Sequence, residues 1–377
     1  MNKAIIHAKI YTGSEVIEDG FIVYGEQIVE VGHMNDFSHS TLETMDAKGQ
    51  TIIPGMIDIH IHGGYTVDAM DADPQKLLAF SEDLLQEGVT SFFATTMTQS
   101  KDNIAKALAA VPKGVELGAN IAGVHLEGPY VNVEKAGAQP HEYIIPPDVN
   151  QLKEWNELAN GMIKLVTFAP EKDEDQSFQS YMQQHQIVGS AGHTDVTYDE
   201  LVEKKVTHFT HLYNQMKGLH HREPGTVGYA LLDEQAYVEL IVDGIHVHPE
   251  MVRLVYKMKG ADRICVITDA MRAKGLPDGR YELGGQPVSL KNETVTLDDG
   301  TLAGSALTMD NAFRNIMQFT GCSIEEAVKM TSVNQAEEFN LTQKGAIAPT
   351  KDSDFVLMDE HLQIISTFTK GRKVDVG

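Results

Sequence analysis

The chain has 377 residues, of which 42% are hydrophobic, enough for one large globular domain and a smaller one. Its formal net charge of −24 argues against nucleic acid or an anionic membrane surface as the main partner, because both attract clustered Lys and Arg. No run approaches the roughly 18 apolar residues of a membrane span, the N-terminus does not resemble a secretory leader, and Cys265 and Cys322 lack disulfide or metal spacing. We therefore expect a soluble, cytoplasmic protein with reduced cysteines.

The two ends of the chain predict short strands. In residues 1–53, Val, Ile and Tyr alternate with polar residues, and Gly or Asp-Gly marks the reversals. Residues 345–377 repeat this pattern of strand and turn. We expect residues 1–53 and 345–377 to form one small β-sandwich domain, with residues 54–344 as a separate central domain.

The central region alternates apolar runs with amphipathic, helix-like stretches. Eight of these runs are strand candidates, most of them apolar on both faces, which is typical of a parallel (β/α)8 barrel of the TIM type. They are MIDIHIH (56–62), TSFFATTM (90–97), IAGVHLEG (121–128), IKLVTFAP (163–170), IVGSAGH (187–193), THFTHLYN (207–214), VELIVDGIH (238–246) and ICVITDAM (264–271). An open doubly wound sheet is the alternative, but the first strand lacks the glycine-rich turn that usually marks it.

The last part of the central region predicts an insertion and a helical end. The stretch YELGGQPVSLKNETVTLDDG after the eighth strand indicates a β-hairpin insertion, with a turn at Asp299-Gly300. Ser323 and Glu326 have the spacing of a capping box at a helix start. The final barrel helices are therefore expected in about residues 305–340.

Ionisable side chains follow six of the eight predicted strands. They are His60 and His62, Glu127, His193, His211, His246 and Asp269. In a barrel the carboxyl ends of all strands meet on one face, so these residues are expected to form one site. Imidazole and carboxylate ligands suit zinc, iron or another divalent ion, which lowers the pKa of a bound water to about 7. A carboxylate such as Asp269 can accept the proton of that water and return it to a leaving group.

Two neighbours of these residues have open roles. His125 lies on the same strand face as Glu127 and is either a further ligand or, as we favour, a hydrogen-bonding support. Asp58 precedes His60 by two residues and is expected to orient it.

A basic loop contrasts with the acidic balance of the chain. The stretch MKGLHHREPG, residues 216–225, contains Lys217, His220, His221 and Arg222. It is either a solvated loop or an anion clamp beside the site, since an Arg side chain binds phosphate or carboxylate through paired hydrogen bonds.

These motifs together resemble the N-acetylglucosamine-6-phosphate deacetylases of the amidohydrolase superfamily. The similarity extends over nearly the whole chain and includes PGMIDIHIHG, GVHLEGPYVNVEKAGAQ, AGHTDVTYDE, THLYNQM, REPG, VDGIHVHP, VITDAM and LAGS. It implies metal-dependent hydrolysis of N-acetylglucosamine 6-phosphate to glucosamine 6-phosphate and acetate. The attacking water would be activated by one or two divalent ions, with zinc or iron expected.

The resemblance also implies roles for the residues of the metal centre. Glu127, His193 and His211 match the metal ligands of the family, and Asp269 matches its general base and acid. His60 and His62 stand at positions that vary within the family, so this pair is expected to decide between one metal ion and two.

Further positions match the substrate contacts of the family. They are Ala138, Gln139, Asn214, Gln215, Arg222, His246, Leu302, Ala303 and Gly304. By resemblance, His246 holds the acetamido carbonyl and Arg222 the 6-phosphate, on a loop near the interface of a homodimer. Gln215 replaces an alanine that is common in the family, which would narrow the sugar pocket.

Two alternatives remain at this stage. The chain is another amidohydrolase, acting on a different N-acyl group or a cyclic amide, or it is a non-catalytic scaffold of the same fold. The retained set of ligand-type residues and the presence of Arg222 disfavour both.

Overall fold

The fold was analysed in a computed structural model that describes residues 2–376. The strands in chain order are β1 (Lys3–Tyr11), β2 (Val16–Tyr24), β3 (Ile28–His33), β4 (Glu43–Asp46), β5 (Thr51–Pro54), β6 (Met56–Ile61), β7 (Gly63–Gly64), β8 (Val67–Asp68), β9 (Val89–Thr96), β10 (Ile121–Glu127), β11 (Ile163–Phe168), β12 (Val188–Ala191), β13 (His208–Phe209), β14 (Tyr237–Ile241), β15 (Ile264–Ile267), β16 (Gly279–Leu283), β17 (Gln286–Lys291), β18 (Thr294–Leu297), β19 (Phe355–Met358), β20 (Ile364–Thr369) and β21 (Arg372–Asp375).

The α-helices in chain order are α1 (Pro74–Asp83), α2 (Lys101–Leu117), α3 (Val149–Leu158), α4 (Ser177–Gln184), α5 (Tyr198–Lys204), α6 (Gly225–Leu232), α7 (Pro249–Lys259), α8 (Met309–Thr320), α9 (Ile324–Val328) and α10 (Asn334–Glu338). A π-helical turn over Lys329–Val333 joins α9 to α10. The predicted capping box is present, since Ser323 and Glu326 bond each other's backbone at the start of α9. Within residues 2–376, no helix is both long and apolar enough to cross a membrane.

Strands from both ends of the chain form one mixed sheet. Its order is β21-β20-β19-β5-β1-β2-β3, with β4 also paired to β1. The Tyr24 ring on β2 meets Phe355 and Phe368 edge-on, with centroid distances of 5.5 and 5.7 Å. Because β2 is not adjacent to β19 or β20 in the sheet, these contacts show that its two halves face each other across a core. The predicted fold class, with a β unit built from both termini, is confirmed, and the domain bounds of 1–53 with 345–377 and of 54–344 stay a prediction.

The central strands form the predicted parallel barrel. Their order is β6-β9-β10-β11-β12-β13-β14-β15, and every neighbouring pair is parallel. Backbone hydrogen bonds close the remaining gap, because the N–H of Asp269 donates to the carbonyl of His60 at 2.9 Å and that of His62 to Ala270 at 2.9 Å. Across the same gap, the hydroxyl of Thr268 donates to Asp58 Oδ2 at 2.6 Å. Asp58 therefore joins the first barrel strand to the last.

The insertion after β15 is a sheet of three antiparallel strands, β16 to β18, rather than a single hairpin. Its apolar side, including Leu283, packs against Met97 and Met271 at the carboxyl end of the barrel. Gln286 Nε2 of β17 donates to the carbonyl oxygen of Ala138 at 2.7 Å. The insertion thus forms one wall above the barrel mouth and holds the loop that follows β10.

Candidate active site

The predicted site residues leave their strands through unusual backbone conformations. His193, His211 and Asp269 have positive φ values of 47°, 30° and 49°. This left-handed region costs a non-glycine residue about 1–3 kcal/mol, and it persists only where the surrounding structure fixes it. These three positions follow β12, β13 and β15, where the side chains turn into the barrel mouth.

Glu127, His193 and His211 meet at one point. Glu127 Oε1 lies 3.2 Å from the Nε2 atom of each histidine, and the two Nε2 atoms are 3.1 Å apart. All three residues are buried. His193 donates its other ring proton, on Nδ1, to the carbonyl of Lys135 at 2.9 Å, which directs its Nε2 towards Glu127.

His60 and His62 form a second group that shares Glu127. His62 Nε2 lies 3.2 Å from Glu127 Oε2, and the Nε2 atoms of both histidines lie 3.3 Å from Asp269 Oδ1. The alternation of side chains along β6 places the two rings on the same side of the strand. The Glu127 carboxylate therefore stands between two pairs of histidines.

The donor atoms of these two groups fit a divalent metal centre. In each set, Glu127 with His193 and His211 and Glu127 with His60 and His62, the ligand atoms lie within 4.8 Å of one another. Within residues 2–376, His60 Nε2 is buried and has no hydrogen-bond partner, as expected for an atom that serves as a ligand. Imidazole nitrogen with carboxylate oxygen suits zinc or iron.

Electrostatics keep the two carboxylates of the site ionised. Burial alone would raise the pKa of Asp269, but His60 and His62 hold it well below the usual range. The pKa of Glu127 is also lowered, because the favourable effects of His60, His193, His211 and His62 exceed the cost of burial. Asp269 is thus a proton acceptor rather than a proton donor at neutral pH.

Further residues hold the cluster in place through hydrogen bonds, and only some of them were predicted from the sequence. Gln139 donates to Glu127 Oε2 at 2.9 Å and accepts from the backbone of Thr98 at 3.0 Å, so it orients the shared carboxylate. Glu239, which was missed, accepts a hydrogen bond from His60 Nδ1 at 2.8 Å. Its signal was a charged residue within the apolar strand YVELI. His125 contacts Thr167 at 2.7 Å through Nε2 and packs edge-on against the His60 ring.

A cavity open to solvent lies over the cluster. Its lining includes Glu127, His62, His193, His211 and Asp269, and, from the predicted substrate contacts, Ala138, Gln139, Asn214, Gln215, His246, Leu302 and Gly304. Met97 and Leu283 complete the wall and were not predicted. His60 is fully buried and is not part of the lining.

Two predicted substrate contacts, Arg222 and Ala303, are not part of the cavity lining. Arg222 is exposed on its loop and donates to His221 Nε2 at 2.9 Å, away from the cavity. Ala303 is buried in the apolar cluster beneath the insertion. One chain therefore brings together the cluster and most of the predicted pocket residues, and Arg222 is exposed outside the lining.

His246 is held at the cavity wall by Asp243. Its Nδ1 donates to Asp243 Oδ2 at 2.6 Å, which leaves Nε2 as the ring nitrogen free for another partner. Although burial opposes the charged ring, Asp243 raises the pKa of His246 above its ordinary value. A proton on Nε2, which Asp243 favours, makes the ring a hydrogen-bond donor at the wall of the cavity.

Comparison with known proteins agrees with this geometry. The model of the amidohydrolase family matches residues 51–376. An N-acetylglucosamine-6-phosphate deacetylase of Bacillus subtilis (strain 168) is 42% identical over 96% of this chain and 94% of its own length. One from Lysinibacillus sphaericus is 44% identical over 88% of this chain and 87% of its own.

A solved structure extends the similarity to the fold. The N-acetylglucosamine-6-phosphate deacetylase of Thermotoga maritima superimposes with a TM-score of 0.89 at 35% identity, over 98% of this chain and 99% of that one. The resemblance found in the sequence is confirmed, and the alternatives of a different amidohydrolase or a scaffold are not favoured. The chain belongs to the amidohydrolase family and, within it, groups with the N-acetylglucosamine-6-phosphate deacetylases.

Proposed function

We propose that the chain hydrolyses the N-acetyl group of N-acetylglucosamine 6-phosphate, giving glucosamine 6-phosphate and acetate. The observation that carries the proposal is the Asp269 carboxylate, which lines the same cavity as the Glu127, His193 and His211 cluster. Amide hydrolysis needs a base for the attacking water and an acid for the leaving nitrogen, and one carboxylate can serve both in turn. The relatives named above support the choice of substrate.

The residues of the cavity divide the chemistry between them. Glu127, His193 and His211 would hold a divalent ion, which when bound acidifies water and polarises a carbonyl oxygen. Asp269 accepts the proton of the water that attacks the acetyl carbon. It then donates that proton to the amine nitrogen as the carbon–nitrogen bond breaks, so the sugar leaves as a neutral amine.

His246 and Gln139 act beside this proton transfer. His246 donates a hydrogen bond to the acetamido oxygen, where negative charge develops during attack. Its link to Asp243 fixes the ring before the substrate arrives. Gln139 keeps the Glu127 carboxylate in place.

Recognition of the 6-phosphate is proposed to involve a second copy of the chain. Arg222 is exposed and lies outside the cavity lining of its own chain, so it is available to a neighbouring subunit. In a symmetric homodimer the loop of each subunit would reach the cavity of the other. The Arg222 guanidinium would there bind phosphate oxygens in pairs.

A subunit-mixing experiment tests this arrangement. The Asp269→Asn and Arg222→Ala variants should each be inactive or weak alone. A mixed dimer, however, has one active site in which the Asp269 of one subunit meets the Arg222 of the other. Dissociated and randomly re-associated subunits should recover about a quarter of wild-type activity, because half of the dimers are mixed and each has one complete site. Each parent variant carried alone through the same treatment is the control. No recovery, or a monomer in sedimentation analysis, contradicts the proposal.

The substrate itself is tested by comparing phosphorylated and unphosphorylated sugar. We expect kcat/KM for N-acetylglucosamine 6-phosphate to exceed that for N-acetylglucosamine by about 100-fold or more, since paired hydrogen bonds to a charged group contribute about 1.5–3 kcal/mol each. The Arg222→Ala variant should lose most of this preference. Equal rates on both sugars would remove the phosphate clamp.

The remaining features are also proposals. The metal is zinc or iron, with one ion at the Glu127, His193 and His211 set and a second at His60 and His62. Elemental analysis of purified protein identifies the ion and its stoichiometry. Cytoplasmic location is proposed as well, and agrees with Cys265 and Cys322, which are free and buried.

A further inference from the structure

A buried column of alternating histidine and glutamate side chains runs from the metal centre into the barrel. His60 Nδ1 donates to Glu239 Oε2 at 2.8 Å, and His208 Nε2 donates to Glu239 Oε1 at 3.2 Å. His208 Nδ1 donates in turn to Glu338 Oε1 at 2.6 Å. The reaction described above uses only the first member of this column.

Glu239 also contacts the other set of ligands. The backbone N–H of His211 donates to Glu239 Oε2 at 3.2 Å. His211 is one of the residues with a positive φ, so this hydrogen bond supports a strained backbone at the end of β13. A single carboxylate thus connects the His60 ring to the backbone of a residue in the other ligand set.

We propose that Glu239 is a positioning residue for the metal centre, which fixes the His60 ring so that its Nε2 is presented as the ligand of a second ion. The proposal rests on the metal-dependent function proposed above. A neutral imidazole has one N–H and one lone pair, so the partner of one nitrogen decides the role of the other. With Nδ1 donating to Glu239, the lone pair belongs to Nε2.

The surroundings of His60 agree with this role. Its Nε2 lies 3.6 Å from Glu127 Oε1 and 3.3 Å from Asp269 Oδ1, and is buried without a hydrogen-bond partner among the described residues. Glu239 is fully buried. A buried carboxylate is costly unless donors surround it, and here the three donors include one from each ligand set. Carboxylates that bond a ligating histidine raise its basicity as well as orienting it.

The test compares stepwise metal binding in Glu239→Gln, Glu338→Gln and the wild type. Glutamine keeps the size of the side chain, but it has no charge and only one acceptor oxygen, so it cannot accept from His60, His208 and His211 as the carboxylate does. Apo-proteins are titrated with zinc in competition with a chromophoric chelator, and the two dissociation constants are fitted. Glu338→Gln is the matched control, since Glu338 is an acid of the same column that contacts His208 and neither ligand set.

For Glu239→Gln we expect the weaker ion to bind about tenfold less tightly or worse, and the tighter ion to change less than threefold. Glu338→Gln should leave both constants unchanged. His60→Gln directly removes the imidazole that would bind the second ion. In that background Glu239→Gln should have no further effect on zinc binding, because Glu239 acts through the His60 ring.

The proposal is overturned if Glu239→Gln binds both ions as tightly as the wild type does, or if Glu338→Gln weakens zinc binding as much as Glu239→Gln does. It is equally overturned if Glu239→Gln weakens zinc binding as much in the His60→Gln background as in the wild type. It is also overturned if the wild type binds a single ion. A wild type that binds two ions but releases no acetate would contradict the proposed function and leave the role of Glu239 to be decided by the zinc constants. Thermal unfolding of each apo-protein checks that the variants are folded. If Glu239→Gln does not fold, Glu239→Asp replaces it: the charge is kept but the reach to His60 is shortened, and an unchanged second constant would overturn the proposal.

Discussion

Replacing Asp269 by Asn removes the proposed proton acceptor while keeping the shape of the side chain. In the structure Asp269 Oδ1 lies 3.3 Å from His60 Nε2 and from His62 Nε2, and an amide oxygen can occupy the same place. The backbone of residue 269 is held independently by hydrogen bonds to His60 and Ser305. The Asp269→Asn variant should therefore fold, bind metal through Glu127, and bind substrate.

The expected size of the effect follows from what else the cavity offers. Among the described lining residues the other carboxylate is Glu127, and its oxygens already contact His62, His193, His211 and Gln139. Among the described lining residues no second carboxylate is free to replace Asp269, so most of the contribution of general acid–base catalysis should be lost. We expect kcat to fall by about 10²–10⁴, which corresponds to about 3–5 kcal/mol in the activation free energy.

The assay measures acetate release by metal-loaded Asp269→Asn at saturating N-acetylglucosamine 6-phosphate, with metal content determined on the same sample. KM should change less than about threefold, because an interaction made only in the transition state is lost. Asp298→Asn is the control, since Asp298 is an exposed carboxylate on the insertion that pairs with Arg280. A variant with full metal content and a kcat within tenfold of the wild type would refute the assignment of Asp269.

Three further predictions concern the metal centre and its support. Glu127→Ala removes the carboxylate shared by both ligand sets, so elemental analysis should show that it loses bound metal together with activity; full metal content would contradict this. His60→Gln combined with His62→Asn should lower the number of ions per chain and leave measurable deacetylation, and loss of all metal would mean that the primary site is elsewhere. The pKa of His208 is raised to about 10, because Glu338 and Glu239 outweigh the opposing effect of burial. Its contribution to stability is complete below its unfolded pKa of about 6.5 and is lost as pH rises towards the folded value. In urea unfolding of metal-loaded protein, the stability advantage of the wild type over His208→Gln should therefore shrink between pH 7 and pH 10, and a constant difference would contradict the reasoning.

Most of the fold could be predicted because local patterns and topology agree. The eight runs expected as strands correspond to β6 and β9–β15, since strands that are buried on both faces have continuous apolar sequences. The insertion was predicted only in outline. Its turns at Gly284-Gly285 and Asn292-Glu293 define three strands, where the pattern had suggested one hairpin.

The site was predictable where ionisable or metal-binding side chains lie at the carboxyl ends of strands. Because the carboxyl ends of all barrel strands meet on one face, the sequence positions of His60, Glu127, His193 and Asp269 predict that their side chains lie close together. Glu239 escaped because it lies within a strand, where its partners His60 and His208 come from distant parts of the chain. Such a partnership is set by barrel closure, and local periodicity carries no information about it.

The pocket walls show the same limit. Met97 follows the second barrel strand and Leu283 lies on the insertion, and they become neighbours only when the insertion packs over the barrel mouth. Arg222 shows a different limit, since the motif identified the residue type but not its exposed position outside the cavity lining. Its position on the surface of the single chain is why a partner subunit enters the proposal.

The central claim is that the chain uses water to cleave the N-acetyl bond of N-acetylglucosamine 6-phosphate. The most direct test incubates metal-loaded wild-type protein with this sugar in water enriched in a heavy oxygen isotope, and analyses both products by mass spectrometry. We expect equal amounts of acetate and glucosamine 6-phosphate, with one heavy oxygen in each acetate. Absence of acetate, or acetate without the heavy oxygen, would contradict it.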